Sequence, residues 1–105
     1  MTEAEPISVI CEADDPGWTC SVTVGSGAGM TRHHISVSMP ELDRFAPGEY
    51  DPTSLVERSL RFLLDREAKE SILRSFAISE IERYFPEYPD TVRPPRQSSS
   101  DSRQL

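Results

Sequence analysis

No apolar run in this sequence approaches the ~20 residues that a membrane-spanning helix requires, so no transmembrane helix is expected. The opening residues, MTEAEPIS, lack the basic and apolar regions of a signal peptide, which makes a cytoplasmic location the expectation. Basic side chains are scarce. Lys and Arg number 11 against 18 Asp and Glu, for a formal net charge of −7. Such a surface repels nucleic-acid phosphates and anionic lipid heads, so the expected partner is a protein, either a second copy in a homodimer or another chain. Cysteine is limited to Cys11 and Cys20, with no Cys-x-x-Cys pair. In a reducing cytosol such residues are free thiols. The glycines at 25, 27 and 29 are followed by no Lys-Ser/Thr and open no helix, so they form a slack connector rather than a phosphate-binding loop. No motif calls for a cofactor.

What is present is a hairpin. The segment ISVICEADDPGWTCSVTV folds back around Asp14-Asp15-Pro16-Gly17. Placing Ala13 opposite Trp18 sets Cys11 against Cys20, Val9 against Val22 and Ile7 against Val24, all apolar. The intervening pairs are Glu12 with Thr19, Ile10 with Ser21, and Ser8 with Thr23. One register thus sorts both strands, 7–13 and 18–24, into an apolar and a mostly polar face. A third strand, 31–38, continues the meander, with Cys20 beside Ile35 and Ser21 beside His34.

Helices follow. Ser38 and Glu41 have capping-box spacing before a turn that runs to Phe45. Asp51-Pro52 opens the clearest helix, which runs to about Arg66 with Val56, Leu60, Leu63 and Leu64 on its apolar stripe and Leu55 and Phe62 widening it. KESILRSF reads as a second helix or a bent extension. Ser79 to Glu82 repeats the capping-box spacing and opens a last helix that Pro86 stops. From Pro89 the chain is rich in Pro, Ser and Arg and reads as disordered. The expectation is an α+β domain over 7–88: a three-stranded antiparallel meander followed by three to four helices packed on one face. A flexible leader (1–6) and a disordered tail (89–105) flank it.

The candidate sites are few. Cys11 and Cys20 face the apolar side with no activating base, so they read as core side chains; a cross-strand disulfide is the lesser alternative. His33 and His34 alternate between faces, which prevents them from sharing an ion. A Cys11, Cys20 and His33 metal site, or a small enzyme built on those residues, is the alternative function. Asp14 and Asp15 suit a turn and lack EF-hand spacing. The helix–turn–helix silhouette of KESILRSFAISEIERYF carries Glu80 and Glu82 where a DNA reader needs donors. In the aromatic span from Phe76 to Tyr88, most rings should pack inward with the tyrosine hydroxyls reaching water. The outer sheet face remains. It presents Ile10, Ser21, Thr23, Arg32 and His34, and it suits a protein contact.

The stretch SLVERSLRFLLDREAKESILRSFAISEIERYFPEY resembles the C-terminal half of small bacterial proteins with no assigned function, a likeness that implies no catalytic residues. The strand–strand–strand–helix order is similar in shape to HicB-type antitoxins, whose glycine-rich strand pattern is not evident here. The function expected is that of a non-enzymatic protein-interaction or regulatory module.

Overall fold

A computed structural model describes residues 5–93 of the chain. Strands β1 (Ile7–Asp14) and β2 (Gly17–Val24) form the hairpin, and β3 (Thr31–Val37) pairs antiparallel with β2. The registers are those expected: Cys11 opposes Cys20, and Cys20 opposes Ile35. A turn of only Asp15 and Pro16 fixes the first, because a two-residue loop leaves no freedom to slip. Gly17 is required where the chain re-enters the sheet. A Cβ there would overlap the Val37 carbonyl oxygen.

Helix α1 (Met39–Phe45) begins with the capping box. Glu41 N donates to Ser38 Oγ at 3.2 Å, and Ser38 N donates to Glu41 Oε1 at 2.8 Å. Helix α2 (Thr53–Leu64) follows, with Asp51 Oδ1 accepting from Thr53 N at 2.9 Å. Its buried stripe includes Leu55, Val56, Leu60, Phe62 and Leu63. Each such side chain contributes about 1.5–3 kcal/mol by leaving water.

The expected helix over KESILRSF does not form. A 3-10 turn (Lys69–Ser71) leads instead to a fourth strand, β4 (Ser75–Ala77), which lies parallel to β3. The sheet is therefore four-stranded and mixed, in the order β1-β2-β3-β4, rather than a three-stranded antiparallel meander. Non-local bonds override the local helical spacing of Ile72, Leu73 and Phe76. His34 N donates to Arg74 O at 2.7 Å and Ile78 N donates to Ser36 O at 3.0 Å. His33, fully buried, donates from Nδ1 to Leu73 O at 2.8 Å, which leaves Nε2 to accept from the Thr31 hydroxyl at 2.9 Å.

Helix α3 (Glu80–Tyr84) starts without the expected Ser79 cap. Glu80 Oε2 instead reaches back to accept from Ala77 N at 3.0 Å. Helix α4 (Tyr88–Val92) extends into the tail expected to be disordered from residue 89, and both Tyr88 and Val92 are buried. The phenol of Tyr88, expected to reach water, lies inside. Its ring packs against Phe45 and Phe62 with centroids 5.1 and 5.3 Å apart. Arg58 Nε donates to Val92 O at 2.7 Å and ties α4 to α2. The expected leader is also shorter than drawn: Glu5 receives Lys69 Nζ at 3.0 Å, and Pro6 O accepts from Gly25 N at 2.8 Å. The rest of that leader (1–4) and of that tail (94–105) lies outside the described residues.

The helices cover one side of the sheet. The inward row of β2 and β3, from Cys20 and Val22 to Ile35 and Val37, is buried, whereas the outward residues of β3 are exposed. No helix of the described residues is long and apolar enough to cross a membrane.

Candidate functional site

The outer sheet face gathers the expected residues into rows. Ile10, Ser21, His34 and Ser75 stand side by side across all four strands, and Ser8, Thr23 and Arg32 form the next row. Alternation along each strand puts them on one side, and no helix of the described residues lies over them. Ile10 is 64% exposed. Ser21 Oγ and His34 Nδ1 are 3.5 Å apart, too far for a strong hydrogen bond, so both keep capacity for another partner. Charge is graded along the face. Arg32 stands toward one end, and Glu12 and Asp14 toward the other, with Thr19 Oγ1 donating to Asp14 Oδ2 at 2.9 Å. Such a surface offers shape, hydroxyl groups and one apolar contact.

Cys11 and Cys20 are joined as a disulfide, which overturns their reading as free thiols. Directly opposed positions in an antiparallel pair supply the short spacing that a bond needs, and the Cα atoms are 3.9 Å apart. The bonded sulfurs lack the thiolates that bind metals, and both ring nitrogens of His33 are engaged elsewhere. Cys11, Cys20 and His33 therefore present no ligand set in this arrangement. Among the described residues, no group of three His, Cys, Asp or Glu is placed to hold an ion.

Sequence reasoning missed a groove of about 270 Å³ between the end of α2, the segment before β4, and α3. Leu63, Phe76, Ile81 and Phe85 line it with the more exposed Leu73 and Tyr84, and Glu67 and Glu80 contribute carboxylates. The signal was the apolar content of KESILRSF, which a helical reading turned inward. Glu80 is already committed to Ala77 N.

Buried chemistry is confined to the core. Ser59 Oγ donates to Leu55 O at 2.7 Å and lies 2.6 Å from the Tyr88 hydroxyl. Burial pushes the Tyr88 phenol pKa well above its ordinary value, so this hydroxyl is a structural donor rather than an acid. On the surface, Arg44 pairs with both carboxylate oxygens of Glu82 at 2.6 Å; the hydrogen bond lowers the Glu82 pKa.

Comparison with protein-family models, curated proteins and solved structures finds no match for this chain.

Proposed function

We propose that this chain is a non-enzymatic protein-interaction or regulatory module that works through the outer face of its sheet. The observation that carries the reading is the bare face itself, with Ile10 exposed in a row of Ser21, His34 and Ser75. A half-open antiparallel sheet ordinarily turns a polar side to water, and an apolar side chain amid hydroxyl groups is the composition of a contact surface. The net charge of −7 disfavours nucleic acid as the partner. The bacterial likeness of the helical stretch supplies no residue role, and none is drawn from it.

A cytoplasmic setting belongs to the same proposal and has a direct test. A reducing cytosol would hold Cys11 and Cys20 as thiols. Counting free thiols in protein trapped with an alkylating agent inside its own cells decides the point: two reactive thiols support that setting, and none refutes it.

The interaction itself is tested by native mass spectrometry of tagged protein from its host, comparing the wild type with Thr23→Glu and His34→Glu on the outer face. Loss of the bound species in both variants, with the far-ultraviolet circular dichroism unchanged, supports the reading. Undiminished binding by both variants, or turnover of any substrate by the purified chain, refutes it.

A further inference from the structure

We propose that β1 is the seam of a homodimer, with two copies joining β1 to β1 antiparallel about a two-fold axis at Ile10 so that their sheets become one. This goes beyond the interaction reading above: it uses the edge of the sheet rather than its outer face, and it names the partner as a second copy of the chain.

The argument begins with the backbone. Pro6 and Gly25 continue the β1–β2 register, and Gly25 N donates to Pro6 O. Pro6 therefore sits at a hydrogen-bonded position, and so do Ser8, Ile10, Glu12 and Asp14. The N–H and C=O groups of Ile7, Val9, Cys11 and Ala13 point away from β2, to an edge that no strand of the described residues pairs with. The outward carbonyl of Glu5 is taken by Arg61 Nη1 at 3.0 Å, but it lies just before the strand.

The two edges of the sheet are unequal. β4 has 3 residues, whereas β1 has 8. Long edges in monomers are guarded by Lys, by Pro within the strand, by a bulge or by an inward charge. β1 has none of these, and its pairing with β2 runs unbroken from Ile7 to Asp14. Helix α2 packs against β1 but leaves its inner row incompletely covered. Cys20, Val22 and Val24 of β2 are fully buried, while Ile7, Val9 and Cys11 beside them are only partly covered. A strand added at β1 would cover that row.

The sequence of β1 selects a second copy. Centring on Ile10 sets Val9 opposite Cys11 of the other chain and Ile7 opposite Ala13, so the inner row is apolar throughout and these pairs exchange the backbone bonds. On the outer row Ile10 meets Ile10 at a close, non-hydrogen-bonded position, and Ser8 meets Glu12. Centring on Glu12 would set like carboxylates face to face. Centring on Cys11 would press Glu12 against Ile10. The Ile10 register avoids both conflicts.

The test reads mass and register together. Sedimentation and native mass spectrometry of the oxidised wild-type chain should show a concentration-dependent dimer. Ile10→Lys sets two ammonium groups face to face at an exposed position and should raise the dimer dissociation constant roughly tenfold or more, with an unchanged circular dichroism spectrum. Single-cysteine additions then report the register, with the native disulfide verified by peptide mass. Ile10→Cys should cross-link to itself. Ser8→Cys mixed with Glu12→Cys should cross-link, and neither should do so alone. A wild-type chain that stays monomeric at every concentration overturns the proposal, as does a dimer indifferent to Ile10→Lys or one that cross-links in another register. A monomer that binds a different protein through the outer face overturns self-pairing yet leaves the interaction reading standing.

Discussion

The buried Ser59–Tyr88 pair makes a prediction whose sign is counter-intuitive. Ser59 spends its own proton on Leu55 O, so the Tyr88 hydroxyl must be the donor across the 2.6 Å contact. Ser59→Ala leaves that phenol fully buried with no acceptor, which costs about 1–3 kcal/mol, less about 0.5 kcal/mol regained from the better helix propensity of Ala. Tyr88→Phe alone removes the donor but leaves Ser59 bonded to Leu55, and should cost about 0.5–1.5 kcal/mol. The double variant has no stranded group. It should therefore be more stable than Ser59→Ala by about 1 kcal/mol, so that a second deletion stabilises the first. Urea unfolding followed by tryptophan fluorescence measures all four corners of the cycle. The same pair sets an alkaline limit. A phenol whose folded pKa is raised contributes stability that is intact below the unfolded value near 10 and lost as pH rises above it, by at most ~1.4 kcal/mol per pH unit. Tyr88→Phe should remove that slope. A double variant less stable than Ser59→Ala, or an alkaline slope that Tyr88→Phe does not reduce, would refute the assignment of Tyr88 as the buried donor; the raised Lys69 pKa leaves a residual slope in either case.

Reducing the Cys11–Cys20 bond should leave the fold intact but lower its stability by about 2–3 kcal/mol, since the bond closes a loop of sequence separation 9; a shift in urea midpoint with unchanged circular dichroism checks it. His33→Ala strands the Leu73 carbonyl and opens a cavity, so a loss of about 2–4 kcal/mol is expected, with amide exchange at His34 and Ile78 rising first. Acid should weaken the fold through Asp51 and Glu82. The Thr53 backbone N–H lowers the Asp51 pKa, and the Arg44 guanidinium lowers that of Glu82. Their contribution is present above the ordinary carboxylate range and fades as pH falls through their depressed folded values, below about pH 4. Glu82→Gln and Asp51→Asn should each flatten the acid limb of a thermal-melt series.

The hairpin could be read from residues because two independent signals agree on it, the apolar pairing of alternate positions and a turn too short to slip. The α1 cap was equally local: Ser38 and Glu41 need only each other. β4 was hidden because Ile72, Leu73 and Phe76 fit a helical stripe, and only partners some 40 residues away, the backbone of β3 and the ring of His33, make the segment extended. α4 was hidden by composition, though Pro89 in its first turn and Tyr88 and Val92 four residues apart were a legible helix signature. The cysteines show a different failure. Geometry placed them face to face correctly, and their apolar surroundings, with no activating base, then favoured core side chains over the bond. The outer face was legible since alternation alone defines it. The groove beside β4 was not, because it depends on the strand that the sequence concealed.

A strand that recruits a partner through its backbone must not fray, since each residue ordered on binding costs about 1–2 kcal/mol. β1 is held at three places. At its start Pro6 O accepts from Gly25 N, and Glu5 is tied through its carbonyl to Arg61 and its side chain to Lys69. In the middle the disulfide joins it to β2, and at its end Asp14 accepts from Thr19. These ties order the edge within one copy, before any partner arrives. They also separate two roles for the bond. If the disulfide only stabilised the fold, reduction would lower the unfolding free energy and leave association of the still-folded chain unchanged. If it also holds the edge in register, reduction should loosen amide protection at Val9 and Cys11 and weaken the dimer in conditions where the chain remains folded.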